Sequence, residues 1–257
     1  MGVLNVTPDS FSDGGKFYEP EKAVRHGLEM IGEGADFIDV GGESTRPGSE
    51  SVSVDEEVRR VVPVIERLAR ETDIPISIDT YKSAVAERAL DAGAVMVNDI
   101  SGLHFDPQLA DVVSKHGASL VLMHIRGEPK TMQQNPEYEN VVEEIGAYLQ
   151  EGIRLAENKG IEQIIVDPGL GFGKNLSHNV EIIRKLSEFQ RFDYPVLVGP
   201  SRKSFIGMIL DVPVEERLEG TAAAVAVSIM NGANIVRVHD VKLMKRVVKV
   251  VDAIVRG

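Results

Sequence analysis

The chain contains no cysteine. That absence excludes disulfides, zinc–thiolate and iron–sulfur ligation and any thiol nucleophile. It is consistent with a reducing compartment, and a cytoplasmic location is expected. Long apolar runs are missing as well. No stretch approaches the ~18 residues of a membrane span, so no membrane partner is expected. The opening residues Met1-Gly2-Val3-Leu4-Asn5 carry neither a basic n-region nor a cleavage site and do not read as a signal peptide. Positive charge is in deficit: 28 Lys and Arg against 40 Asp and Glu leave a net charge of −12. A broad nucleic-acid-binding surface is therefore not expected, whereas a local cluster of cations for a small anion is compatible with that balance. No linker of Pro/Ser/Gly composition interrupts the 257 residues, so one domain over 1–257 is expected.

What the sequence does contain is a repeated alternation. Short β-branched runs lie at 2–6, 37–41, 75–79, 95–98, 120–123, 164–167, 196–199 and 235–238. Near-continuous apolar runs of this length suit strands buried on both faces of a parallel sheet. Amphipathic stretches separate them, with apolar stripes such as Ala23, Val24, Gly27, Leu28, Met30, Ile31 and Val58, Val61, Val62, Ile65, Leu68. Ser53-Val54-Asp55-Glu56 has the form of a capping box, and Asp106-Pro107 places a cap before a first-turn proline. Gly34, Gly93, Gly117, Gly160 and Gly232 stand where helices should release the chain into the next strand. Eight near-equal strand–helix units favour a closed single (β/α)₈ TIM barrel over an open doubly wound sheet. The longest non-periodic stretches, 7–18, 42–52 and 124–138, all follow strands, on the side where such barrels carry their chemistry.

A strand buried on both faces should end on apolar residues, yet nearly every strand here ends on polar ones: Asn5, Asp39 with Glu43, Asp79, Asn98, His124, Asp167, Ser201 with Lys203, and Arg237 with His239. Any one of these could merely cap a helix or satisfy a loop amide. The whole set, converging on one rim, points to a binding site. Asp79, Asn98 and Asp167 together suit a flat heterocycle with a donor–acceptor–donor edge, such as an aminopyrimidinone. Asp39, inside its strand, fits a packing or supporting role, and Glu43 is open between structure and function. Lys203, Arg237, His239 and Arg46 form a cationic group, three of them near strands 7 and 8 where barrels often hold phosphate. The alternative for Arg237 is a salt bridge to a neighbouring strand-end carboxylate; against it, Arg237-Val238-His239 spaces two side chains onto the same face of a strand.

His26, His104, His116 and His178 lack metal-ligand spacing. A hard ion such as Mg²⁺, held mainly by phosphate oxygens, water and one protein oxygen from Asn5, is compatible with the sequence, though spacing alone does not show it. Gly169-Leu170-Gly171-Phe172-Gly173-Lys174 lacks the Gly-Lys-Ser/Thr ending of a nucleotide loop. Its glycines are expected to turn the backbone tightly above a ligand, with Phe172 offering an apolar face. The alanines within 220–227 are read as close helix packing.

These segments, taken together, resemble the dihydropteroate synthase family. The resemblance rests on Asn5-Val6-Thr7-Pro8-Asp9-Ser10-Phe11-Ser12-Asp13-Gly14-Gly15, Gly41-Gly42-Glu43-Ser44-Thr45-Arg46-Pro47-Gly48 and Met123-His124-Ile125-Arg126-Gly127 with Thr131-Met132-Gln133. It continues through Asp167-Pro168-Gly169-Leu170-Gly171-Phe172-Gly173-Lys174, Gly199-Pro200-Ser201-Arg202-Lys203-Ser204 and Arg237-Val238-His239-Asp240. Members usually carry a further stretch before the first strand, so a missing N-terminal segment is expected. The resemblance implies a transferase that condenses 6-hydroxymethyl-7,8-dihydropterin pyrophosphate with 4-aminobenzoate to give 7,8-dihydropteroate and pyrophosphate, with Mg²⁺, in a homodimer. It implies pterin on Asp79, Asn98, Asp167 and Lys203, and pyrophosphate towards Asn5, Thr45, Arg237 and His239. It places 4-aminobenzoate, and the sulfonamides that compete with it, among Ser44, Thr45, Arg46, Pro47, Phe172, Lys203 and Ser204. Asp13, Arg46, Lys203, Arg237 and His239 are the expected catalytic residues. The alternatives are a pterin-binding methyltransferase, which needs neither a cationic end for pyrophosphate nor a Ser-Thr-Arg-Pro-Gly loop and against which Lys203, Arg237 and His239 discriminate, and a non-catalytic pterin-binding barrel that has lost turnover, against which pyrophosphate release would discriminate.

Overall fold

Glycine-punctuated apolar runs alternate with amphipathic helices throughout the computed structural model, which describes residues 1–7, 19–45 and 48–257. Asp13, Arg46 and Pro47 lie outside the described residues. The strands are β1 (Gly2–Asn5), β2 (Ile38–Gly41), β3 (Ile76–Asp79), β4 (Met96–Asp99), β5 (Ser119–Met123), β6 (Ile164–Asp167), β7 (Leu197–Val198) and β8 (Ile235–Val236). Between and after them run α1 (Glu19–Gly32), α2 (Val54–Glu71), α3 (Ser83–Asp91), α4 (Leu109–His116), α5 (Val141–Asn158), α6 (Leu176–Arg184), α7 (Ser204–Leu210), α8 (Leu218–Met230) and α9 (Val241–Val255). Strands β1 to β6 pair in order as one parallel sheet, and β7 pairs with β8. Two single parallel bridges, Val166↔Val196 and Gly2↔Val238, join these sheets into a closed barrel.

Strands β7 and β8 are shorter than the eight expected runs. After Val198 come Gly199 and Pro200, and proline has no N–H to continue a ladder. β8 stops at Val236 because the chain there changes partners. Arg237 N donates to Val198 O on β7, while Val238 N donates to Met1 O on the other side. Arg237 and His239 therefore do not share a regular strand face, as their spacing had suggested. Other strand bounds shift by a residue or so. The five helix-ending glycines all have positive φ, between 61° and 112°, as the left-handed release of a helix requires. Ser53 caps α2 by accepting from Glu56 N, but the Glu56 carboxylate turns to Arg59 and Arg60 instead of closing the box. A complete reciprocal box forms at Asn175 and His178.

Alternation along the strands separates three apolar clusters. Outward residues such as Leu4, Ile38, Val40, Ile78, Val97, Leu120, Leu122, Ile164, Val166 and Val198 form the main core under the helices. Inward ones (Met96, Val121, Ile165 and Leu197, with Phe37 and Ile235) form a second cluster that plugs the barrel. A third, at the mouth, holds Ile100, Met123, Ile125, Met132 and Phe172. Polar inward residues sit directly above the plug. Asn5, Gly41, Asp79 and Asn98 occupy one row of the register, and Asp39 pairs with Val3 and Ser77 one row below. On the opposite wall Met123 pairs with Asp167.

Candidate active site

The row at the mouth owes its shape to Gly41. A Cβ there would lie 3.6 Å from Asp79 Oδ2 and 3.7 Å from Asn5 Oδ1, so the missing side chain leaves open space between an amide and a carboxylate. Arg237 enters from β8. Its Nε donates to Asp39 Oδ2 and its Nη2 to Asp79 Oδ2, both at 2.6 Å. Asn98 Nδ2 donates to the same Asp39 oxygen at 2.9 Å. Asp39, fully buried, thus orients both the amide and the guanidinium, which is the supporting role its position suggested. The salt bridge weighed as an alternative for Arg237 is present, yet it commits only two of the five guanidinium N–H groups. Asp39 Oδ1 and Asp79 Oδ1 are buried without a hydrogen-bond partner among the described residues.

Two carboxylates sharing one guanidinium cannot both be neutralised. Burial pushes Asp79 up to about 7 against the pull of Arg237, with Asp39 adding to the rise. Asp167 accepts from Gly169 N at 2.7 Å, and burial raises it to about 6 in spite of that bond. Lys203, at the start of α7, is lowered to about 8 by burial and then by Arg237. Its Nζ lies 4.2 Å from the centre of the Phe172 ring, a cation–π contact. His239 is lowered to about 4, by burial first and Arg237 second, so its imidazole is neutral at pH 7. The Ser201 hydroxyl accepts the His239 amide at 3.2 Å and meets Nδ1 at 3.0 Å.

Phe172 owes its place to the glycine loop. At Gly169 (φ 69°) a Cβ would collide with the His124 carbonyl, and at Gly173 (φ 63°) with the Arg126 backbone. Lys174 is only 3% exposed and donates to Phe172 O at 2.8 Å, with His124 Nδ1 at 2.9 Å. Burial lowers both Lys174 and His124. Ser44 and Thr45 follow the end of β2, and Ser204 is the exposed first residue of α7.

The structure thus brings Asp79, Asn98, Asp167, Lys203 and Arg237 to one mouth, with Asn5 beside them and His239 within electrostatic reach of Arg237. It also adds residues that sequence reasoning passed over. Lys174 closes the glycine motif at 169–174, and nothing in its local sequence signals that it is buried. Glu57 stands four residues before Val61 on the buried stripe of α2, a helical spacing that marks it as an inward acid.

The matching family model is that of pterin binding enzymes, over residues 1–239. A dihydropteroate synthase from Synechocystis is 51% identical, covering 100% of this chain and 90% of that protein. The chain belongs to the dihydropteroate synthase family. Its activity is accordingly dihydropteroate synthesis, a group transfer in folate biosynthesis. The crystal structure of a Clostridium difficile dihydropteroate synthase in the presence of pteroic acid is 47% identical, with a TM-score of 0.94 over 100% of this chain and 96% of that one. A Xanthomonas albilineans dihydropteroate synthase with 4-aminobenzoic acid is 44% identical, with a TM-score of 0.93 over 99% and 92%. Both support the TIM barrel built above from strand register and bridges.

Proposed function

We propose that this barrel mouth transfers the dihydropterin methylene group from pyrophosphate to the amine of 4-aminobenzoate, through the residues just described. The observation that carries the assignment is the convergence of Asp79, Asn98 and Asp167 with Lys203 and Arg237 above one apolar plug. The acids and the amide read the pterin's edge, while the neighbouring cations hold the diphosphate. The C–O bond to pyrophosphate breaks with its electron pair leaving on oxygen, the aromatic amine forms the new C–N bond with its lone pair, and the acidic proton of the resulting ammonium passes to water. An aromatic amine is nucleophilic when neutral, so no general base is required. Asp79 and Asp167 stabilise positive charge developing on the pterin. Arg237 and the neutral His239 ring donate to the departing oxygens, as fixed dipoles and charges aimed where negative charge grows. Phe172, pinned by Lys174 and stacked under Lys203, provides an apolar wall for the aminobenzoate ring together with Ser44, Thr45 and Ser204. Asp13, Arg46 and Pro47 complete the site in this reading.

Asn5 suits Mg²⁺. Among the described residues no group of three or more His, Asp or Glu is placed to hold a metal, and the Asn5 amide oxygen beside Gly41 offers a single hard, neutral ligand. A magnesium ion there, completed by diphosphate and water, would supply Lewis-acid stabilisation of the leaving group.

The chain 1–257 forms one pterin-binding domain in this reading, in the cytoplasm. It pairs as a homodimer through the apolar surface of α7, α8 and α9. Met208 (64% exposed), Met230 (62%) and Ile254 (75%) lie on those helices, and a groove of about 420 Å³ runs between α6, α7 and α8. No helix among the described residues is long and apolar enough to cross a membrane.

Mixing the protein with pterin pyrophosphate, 4-aminobenzoate and Mg²⁺ should release pyrophosphate in step with dihydropteroate. Pterin binding without release would leave a binding barrel in its place.

A further inference from the structure

A second charge cluster lies beside the mouth, outside the machinery assigned above. Glu43 follows β2, and its Oε2 accepts from Val52 N at 2.8 Å, nine residues further on. Lys82 follows β3, and its ammonium donates to Glu43 Oε2 at 2.6 Å, to Val52 O at 2.7 Å and to Glu57 Oε2 at 2.7 Å. An ammonium has three N–H groups, so Lys82 is saturated. Glu43 Oε1 accepts from Tyr81 at 2.9 Å, and Glu57, on α2, is 1% exposed. Arg60, on the same helix, donates to Gly42 O at 2.8 Å. The contacts therefore hold both ends of one loop. Glu43 and Val52 are its two feet, Lys82 bonds both at once, and the α2 residues Glu57 and Arg60 hold that junction to the scaffold.

The loop between those feet carries Ser44 and Thr45. Tyr81 also packs on the apolar mouth cluster that includes Phe172, so the clamp and the wall meant for the aminobenzoate ring share one support. The ends of a ten-residue loop do not meet without an entropic cost, and Lys82 offsets that cost at the base. Of the pterin-facing residues, Asn98 and Asp167 stand on other strands, while Asp79 ends β3 three residues before Lys82. None of the three makes a hydrogen bond to this cluster among the contacts described above, and the cluster reaches Asp79 only through the charge of Glu57.

We propose that Lys82 is a positioning residue for the second substrate: acting through Glu43 and Val52, it holds Ser44 and Thr45, which follow β2, where they receive 4-aminobenzoate. This rests on the assignment of that loop to aminobenzoate made above.

The test is steady-state kinetics in both substrates with Lys82→Met, Lys82→Arg and Glu43→Gln, beside calorimetric binding of pterin pyrophosphate without aminobenzoate. Lys82→Met should raise KM for 4-aminobenzoate by about tenfold or more, the loss expected of hydrogen bonds to charged groups. The pterin pyrophosphate Kd should stay within about twofold of wild type on the same grounds, because no pterin-facing bond is lost. Lys82→Arg should fall between, since a planar guanidinium matches three converging acceptors less well than an ammonium. Glu43→Gln keeps the Lys82–Glu57 pair and therefore the fold; it should show the same one-sided rise in KM even if Lys82→Met does not fold. Equal losses for both substrates, or an unchanged aminobenzoate KM in folded Glu43→Gln, would overturn the proposal. Arg46→Ala separates the two claims. If it raises aminobenzoate KM while the clamp variants do not, the clamp is wrong and the loop assignment stands. If Arg46→Ala leaves that KM unchanged, the loop assignment itself fails.

Discussion

Two clusters at this barrel end have the same formula, two carboxylates around one cation, and opposite character. In the first, Glu43 and Glu57 surround Lys82, and every N–H of the ammonium has an acceptor. In the second, Asp39 and Asp79 share Arg237, and among the described residues one oxygen on each acid is unpartnered and two of the five guanidinium N–H groups have acceptors. Buried polar groups without partners are costly, so the second arrangement is an incomplete one that a ligand can complete. A saturated cluster resists change and makes a good foundation. Composition does not separate scaffold from site here; residual hydrogen-bonding capacity does. By that criterion Glu43, which the sequence left open, belongs with the clamp proposed above and not with the open cluster.

The sharpest way to break this contrast is to remove each cation. Arg237→Ala should lower kcat/KM for pterin pyrophosphate on the order of 10²–10³, as loss of a donor aimed at developing charge does; a wild-type value would end its assignment. The pH profile comes next. Protonation of Asp167 at about 6 and Asp79 at about 7 removes acceptors on the acid side, and deprotonation of Lys203 at about 8 removes a cation on the alkaline side. The kcat/KM for pterin pyrophosphate should therefore be bell-shaped with limbs in that window, and Lys203→Arg should abolish the alkaline limb. In contrast, Lys82 is held above its ordinary range by Glu43 and Glu57 in spite of burial, and should contribute no limb.

Glu57→Ala should act on the other side of the comparison. It should cost about 1–3 kcal/mol of stability by leaving Lys82 short of an acceptor, measured by denaturant unfolding, with pterin affinity touched only through the push that the Glu57 charge exerts on Asp79. A loss of pterin binding would show that the clusters are not separate. The smallest expected effect concerns the stability price of the mouth. Lys203 sits below its ordinary pKa, so the folded form sheds that proton first and its contribution to stability improves as pH rises from about 8 towards 10.5. Asp79 and Asp167 sit above theirs, so their contributions weaken as pH rises from about 4 to 7. Lys203→Met should accordingly raise Tm at pH 7 by about 2–4 °C, the shift expected of ~1 kcal/mol in a chain of this size, while activity is lost. A lower Tm would mean that the Phe172 contact and the attraction of Asp167 and Asp79 outweigh desolvation.

Much of this was legible in one dimension. Strand burial is a local property, written as β-branched runs, and the glycine that frees each helix end is a local demand on φ; both could be read without a structure. So could the list of polar strand ends, because a polar residue closing an apolar run is anomalous wherever the chain goes. The exact extent of β7 and β8 was not legible, since it depends on closure across β6 and β1, partners remote in the chain. The division of labour within the rim was hidden for the same reason. Asp39 and Asp79 are 158 and more residues from Arg237, and no local pattern tells which acid steadies the guanidinium and which faces a ligand. The sequence by itself determined the barrel and the chemical kinds gathered at its mouth, because periodicity and turn chemistry act over a few residues. Only the tertiary structure decided which charges are saturated and which are left open, because satisfaction of a buried charge is set by neighbours that folding brings from distant strands.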